Sequence, residues 1–204
     1  MQQSKVINIL KKDLNFKDSS VEKLKKFVKL VLIENKNHNL IAKSTENSIW
    51  HRHILDSAQL VKLIDFKSLS LADLGSGAGF PGLVIEIFNK NKDFHVKLYE
   101  KSSVKRQFLI KVIKELNLNA TVFGDLRDEV LDPDIIVCRA FKKLEQVIQV
   151  SREIAKKPHK LMILKGQNAH KEIKNSFKTK KYPYKLESSM SNKESKIIIM
   201  EIDK

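Results

Sequence analysis

The 204-residue sequence has a single cysteine, Cys138. That excludes an internal disulfide and any zinc site built on several thiolates. No apolar run approaches the ~18 residues of a membrane-spanning helix. The amino-terminal stretch MQQSKVINILKKDLNF has no cleavable signal pattern. A cytoplasmic location without a membrane partner is therefore expected. The patterns H-E-x-x-H, G-x-S-x-G and the P-loop lysine motif are all missing, and only six residues are glycine. Acidic side chains are also short, with 24 Asp+Glu against 39 Lys+Arg, a net charge of +15. Five of the 39 are arginine (Arg52, Arg106, Arg127, Arg139, Arg152) and the other 34 are lysine. Frequent Lys, Asn and Ile also look like a genome-wide compositional bias. That bias does not explain so large a deficit of acids, so a basic face for an anionic partner such as nucleic acid is favoured.

What is present suits one compact unit with a sizeable core, since 42% of residues are hydrophobic. In residues 20–34, Val21, Leu24, Phe27, Val28, Val31 and Leu32 recur at helical spacing. NKNHN at 35–39 breaks the pattern. One or two more helices are predicted over 45–64, with Ile49, Trp50, His53, Ile54, Ser57, Leu60 and Val61 near one face and Thr45 as a cap. Beyond residue 66 the pattern changes. Strands are predicted at 69–74, 94–100, 120–125, 133–141 and 160–166, with helices at 81–90, 102–118, 144–157 and 168–180. YKLESSM and SKIIIMEID read as a closing hairpin that turns near 191–194. Strands alternating with helices imply a mostly parallel sheet covered on both faces. The expected layout is a helical cap over 1–66 and a catalytic unit over 67–204.

Four of the six glycines stand in LADLGSGAGFPGLVIEIF, residues 71–88. Two templates fit. Gly77-Ala-Gly79-Phe-Pro-Gly82 is G-x-G-x-x-G, a dinucleotide fingerprint. Asp73 with Gly75, Gly77 and Gly79 is D-x-G-x-G-x-G, the loop of class I methyltransferases. Both expect an acidic residue at the end of the next strand to accept from ribose hydroxyls, and Glu100 follows Gly79 by 21 residues. A carboxylate at Asp73 suits a ligand carrying an ammonium and a sulfonium and would repel a pyrophosphate. S-adenosylmethionine is favoured over a nicotinamide dinucleotide. Asp125 stands where the third strand ends and is a candidate contact to adenine, or an ordinary turn residue.

Cys138 ends a buried run and has no obvious basic partner in sequence to deprotonate it, so it reads as a core residue rather than a nucleophile. His51 and His53 point different ways on a helix, and no metal site is expected. His53 and Asp56 are three apart and could meet on one face, as a satisfied polar pair or as part of a pocket wall. Arg139 and Lys165 each follow an apolar strand. Ligands of open α/β sheets bind beyond the carboxyl ends of strands, so both cations are expected beside the glycine loop, where they suit a phosphate or a base edge.

Asn39–Leu40, HILDS at 53–57, LADLGSGAGFPGLVI at 71–85, LYEKSSVKRQFL at 98–109, CRAF at 138–141 and LKGQ at 164–167 stand in this order. Together they resemble the RsmG family, also called glucose-inhibited division protein B. Its members methylate N7 of a guanine in 16S rRNA of the bacterial small subunit. The resemblance implies a class I S-adenosylmethionine-dependent methyltransferase fold. That fold is Rossmann-like, with a mostly parallel seven-stranded sheet, a C-terminal antiparallel hairpin and an N-terminal helical cap. It implies cofactor contacts at Gly75, Phe80, Leu126, Arg127 and Arg139, with Glu100 as the acidic residue of the second strand end. Arg139 and Lys165 would then position the RNA. The chain departs from the family at Ile41, where threonine is common; at Cys138, where serine is usual; and at Arg127, where an acidic residue is frequent. The expected partner is 16S rRNA or the 30S subunit, with no metal, and nothing in the sequence asks for more than a monomer.

Overall fold

The computed structural model describes residues 3–126, 132–177 and 182–203. Helix α1 (Gln3–Lys12) and helix α2 (Asp18–Glu34) open the chain. Helix α2 forms because Val21, Leu24, Phe27, Val28 and Val31 fall on one buried face. Each such side chain removed from water is worth roughly 1.5–3 kcal/mol. The helix ends where the Asn35 carboxamide turns the chain back, its Oδ1 accepting from the amides of Leu40 (2.8 Å) and Ile41 (2.9 Å).

Residues 43–62 are helical throughout but change pitch three times. A 3-10 stretch over Lys43–Ser48 leads into a π-helical turn over Trp50–Leu55, then the short helix α3 (Asp56–Ala58) and a second 3-10 turn over Gln59–Lys62. Ile49, Trp50, Ile54, Leu60 and Val61 are buried as the sequence predicts. Thr45 is not the cap expected of it. Ala42 holds that place, and the Thr45 hydroxyl donates to the Ala42 carbonyl at 2.7 Å.

The sheet follows: β1 (Ser70–Leu74), helix α4 (Gly82–Phe88), β2 (His95–Tyr99), helix α5 (Ser103–Leu116), β3 (Ala120–Phe123), β4 (Ile135–Arg139), helix α6 (Leu144–Ile154), β5 (His159–Lys165), helix α7 (Ala169–Ser176), β6 (Lys185–Ser188) and β7 (Lys196–Ile202). The seven strands lie in the order β3-β2-β1-β4-β5-β7-β6. Pairs within β3 to β5 are parallel, and β7 runs antiparallel to both β5 and β6. The mostly parallel sheet and its closing hairpin are therefore as expected. Ile135–Cys138 and Leu161–Leu164 are buried on both faces, which explains their unbroken apolar runs.

Two apolar clusters cover the sheet. One joins Val6, Phe27 and Ile54 of the cap to Leu83, Leu109 and Val137 without a break. The other packs Leu144, Val147, Ile148 and Ile173 of α6 and α7 against the opposite face. Helix boundaries are shorter than predicted at the end of α6, where Ala155 is already extended. The last part of the helix predicted over 168–180 lies outside the described residues.

Candidate functional site

Strand order reverses at β1, which has β2 on one side and β4 on the other. Such a switch point opens a crevice beyond the strand ends. Here it is a cleft of about 770 Å³. The glycine loop forms one wall, the cap a second, and the ends of β4 and β5 with the β6–β7 turn close the rest.

The loop turns because three glycines adopt positive φ: Gly75 (+73°), Gly77 (+58°) and Gly79 (+97°). The amides of Gly75 and Ser76 both donate to the Tyr99 carbonyl, at 2.9 and 3.0 Å, which ties the loop to the end of β2. A methyl group on Gly75 would stand 2.6 Å from the Phe141 ring, so this glycine admits Phe141 to the cleft wall. A methyl group on Gly77 would find nothing closer than 3.9 Å, so its backbone faces open space where a ligand can approach. Gly79 faces inward instead, with Leu83 and Leu109 filling the room its side chain would take. It shapes the loop without lining the cleft.

Glu100 stands where the sequence places it. One carboxylate oxygen accepts from Gly77 N–H (2.9 Å) and the other from Ser102 N–H (2.8 Å). Each oxygen keeps a further lone pair for a ribose hydroxyl. Asp73 corrects an expectation. It is fully buried behind the loop and does not line the cleft, so it does not stand beside a ligand. Its Oδ2 accepts from Gly82 N–H at 2.9 Å, while Oδ1 has no hydrogen-bond partner. Burial pushes its pKa up to about 7, with the Gly82 bond, the Ser76 hydroxyl and the Arg139 charge opposing the rise. Gly124 and Leu126 line the cleft after β3, whereas Asp125 between them does not; its carboxylate lies 3.4 Å from the Lys101 ammonium. Arg127 lies outside the described residues.

Arg139 and Lys165 end β4 and β5 and both reach the cleft. Neither waits there unpaired. The Lys165 ammonium donates to Glu172 and to the Lys142 carbonyl, each at 2.8 Å. Arg139 donates to His53 Nδ1 (2.7 Å) and to the Arg52 carbonyl (3.0 Å), and lies 3.6 Å from Asp56. Its guanidinium also sits over the Phe80 ring, 5.3 Å from the centroid. Burial pulls the pKa of Arg139 down, and the nearby Asp56 and Asp73 carboxylates restore part of it. His53 and Asp56 do not pair with each other as the sequence suggested; both pair with Arg139. Asp56 also accepts from the hydroxyl of Ser191 (2.6 Å) and the amide of Gln59 (3.1 Å).

Sequence reasoning missed the part of Thr45, Arg52, the β6–β7 turn (Ser191, Asn192 and Ser195) and Lys196 at the start of β7 in this wall. Only chain folding brings them together, and no local signal marks them. The Arg52 guanidinium has no acidic partner among the described residues. Cys138 is buried and its thiol is pushed up to about 12 by burial and by Asp73, so it is no nucleophile. Ile41 is buried at the edge of the cleft. Among the described residues, no three His, Cys, Asp or Glu side chains gather as a metal site.

These features fit S-adenosylmethionine. There is open backbone at Gly77, a carboxylate at Glu100, an apolar slot at Leu126 and Phe141, and room in the cleft. Comparison with known proteins agrees. A structure from Klebsiella pneumoniae assigned as an O-methyltransferase has 11% identity and a TM-score of 0.63, covering 95% of this chain and 94% of that one. A SAM-dependent methyltransferase from Aquifex aeolicus has 11% identity and a TM-score of 0.54, covering 72% and 89%. These likenesses establish the class I methyltransferase fold. Ribosomal RNA small subunit methyltransferase G of Rickettsia felis is 38% identical over 179 residues, 87% of this chain and 91% of the relative. The profile of the family described as GidB, rRNA small subunit methyltransferase G, matches residues 20–198. The chain belongs to that family.

Proposed function

We propose that this protein transfers the methyl group of S-adenosylmethionine to N7 of a guanine in 16S rRNA, free or within the 30S subunit. The observation that carries the reading is the composition of the cleft. A glycine loop and Glu100 on one wall suit the nucleoside cofactor, and Arg52, Arg139 and Lys165 on the other suit RNA.

When bound, the cofactor supplies an electrophilic methyl group on a cationic sulfur. Guanine N7 has a lone pair and no proton to remove. No residue is therefore asked to act as a base, and the work of the protein is alignment and exclusion of water. Gly75, Gly77, Phe80 and Leu126 would cradle the cofactor, with Glu100 accepting from its ribose. Arg139 and Lys165, both already held by protein acceptors, present charge of fixed direction to a base edge or phosphate. The surplus of 15 positive charges supplies the salt-dependent grip on the RNA. Glu172, paired with Lys165, keeps that lysine at the rim. A monomer acting in the cytoplasm, without a metal ion, completes this reading. Among the described residues no helix is long and apolar enough to cross a membrane.

The test is methyl transfer from labelled S-adenosylmethionine to 30S subunits and to naked 16S rRNA, both lacking N7-methylguanine, with nucleoside analysis of the product. Label in N7-methylguanosine is expected. Label in another nucleoside overturns the target, and no label with either substrate overturns the RNA reading altogether.

A further inference from the structure

We propose that His53 is a positioning residue for methyl transfer, acting through Arg139: its Nδ1 lone pair fixes the guanidinium over Phe80 at the edge of the cofactor loop. The proposal rests on the methyltransferase reading and adds a cap residue to it.

The hydrogen-bond directions follow one another. Arginine has only donors, so the 2.7 Å contact to His53 requires Nδ1 to accept. The proton of a neutral imidazole is then on Nε2, which lies 2.9 Å from Thr45 Oγ1. Thr45 Oγ1 spends its own proton on the Ala42 carbonyl, 2.7 Å away, and so is free to accept from Nε2. Each group in the relay has one permitted direction. The tautomer of His53 is set by the cap turn, and the plane of Arg139 by His53.

The rings fix the position further. His53 lies 5.0 Å from Phe80, and Phe27 lies 5.1 Å from Phe80. Phe80 is thus backed by helix α2 and faced by His53 and Arg139. The charged groups around the imidazole are Arg139 from β4 and Arg52 and Asp56 from its own segment. Burial, then the charges of Arg139 and Arg52, push its pKa down to about 3, so it stays neutral wherever the enzyme works.

A neutral acceptor differs from a carboxylate in one respect. An aspartate at this position would add a second carboxylate to the Asp56 already beside Arg139, whereas a neutral imidazole orients the guanidinium without adding negative charge. Asp56 does not replace it. Its Oδ2 stands 3.6 Å from the guanidinium and balances its charge without replacing the bond to His53, while its Oδ1 is committed to Ser191 and Gln59. The guanidinium has five N–H groups, and the bonds to His53 and the Arg52 carbonyl use two. A third, on the nitrogen that bonds the Arg52 carbonyl, belongs to the ion pair with Asp56, so at most two are left for cofactor or RNA.

Two near-isosteric variants separate this role from packing. In His53→Asn the carboxamide oxygen takes the place of Nδ1 and keeps the bond to Arg139. In His53→Gln the carboxamide reaches toward Thr45 and abandons Arg139. Both fill the site with a planar polar group, and thermal melting of each checks the fold. In methyl transfer to small-subunit RNA, His53→Gln is expected to lower kcat at least ten-fold, with KM for the RNA changed less than three-fold. His53→Asn should recover most of that rate. In the background of Arg139→Ala, His53→Gln should cost no further activity, because the residue it positions is gone. Equal losses in Asn and Gln, or additive losses in the double variant, overturn the proposal. A wild-type protein that transfers no methyl group to RNA overturns the methyltransferase reading first and this one with it.

Discussion

Replacing Asp73 by asparagine isolates the cost of ionising a carboxylate behind the glycine loop. Asp73 is fully buried, and one of its two oxygens has no partner. Its pKa is pushed up by burial from 3.8 to about 7. Between those values the native protein holds a proton that the unfolded chain has released. Stability therefore falls as pH rises through that window, by about 1.4 kcal/mol per unit. The full cost, at most about 4 kcal/mol, is reached above pH 7. Asparagine carries no charge, and its carboxamide oxygen still accepts from Gly82. The variant and the wild type should thus be nearly equal near pH 4. Near pH 8.5 the variant should be the more stable by more than about 1 kcal/mol. Urea unfolding of the cofactor-free protein at the two pH values measures the difference. A gap that does not change with pH, or a variant less stable at the higher pH, refutes the reasoning.

Gly75→Ala drives a methyl group to 2.6 Å from the Phe141 ring at a residue with φ +73°. It should weaken S-adenosylmethionine binding at least ten-fold by calorimetry, and Phe141→Leu in the same chain should restore part of the affinity by clearing the ring. Arg52→Ala removes a cation of the cleft wall that has no acidic partner among the described residues. If Arg52 meets a phosphate, the slope of log affinity for RNA against log salt should fall by about 0.7; an unchanged slope places that side chain off the RNA path.

Much of this architecture is legible because parallel sheets leave a coarse trace. DIIVC and LMIL are apolar throughout since both their faces are covered, and the glycine cluster between β1 and α4 marks the switch point. The error at Asp73 was correctable in principle. Side chains alternate along a strand. Ala72 and Leu74 face helices α6 and α7, while Leu71 faces the cap and α4. Asp73 shares the side of Leu71 and so meets Gly82 of α4 rather than the cleft. The pitch changes over 43–62 were not legible. A helical apolar pattern shows which residues are buried but does not distinguish 3-10, α and π turns, and the polar groups of this stretch make contacts far along the chain. Those contacts are with Arg139, 86 residues from His53, and with Ser191, 135 residues from Asp56.

Those distant contacts bear on what the cap is for. A cap that only covered the sheet would need apolar residues, and Phe27, Ile54 and Leu60 already supply them. This one also carries a run of polar groups aimed at the end of β4 and at the β6–β7 turn. His53 and the Arg52 carbonyl hold Arg139 at the end of β4. Gln59 is buried, donating to Ser189 at 3.1 Å and accepting from Met190 N–H at 2.7 Å. Asp56 joins the two sets, with Arg139 on one side and Ser191 on the other. Buried polar groups cost stability unless all are satisfied, so such a network is kept where geometry matters. Its effect is to fix the β4 end and the β6–β7 turn at one spacing across the cleft. The glycine loop shapes one half of the cleft, which we assign to the cofactor, from residues near in sequence. The opposite half, where we propose that the RNA lies, is shaped by the cap, from residues that only the completed fold brings together.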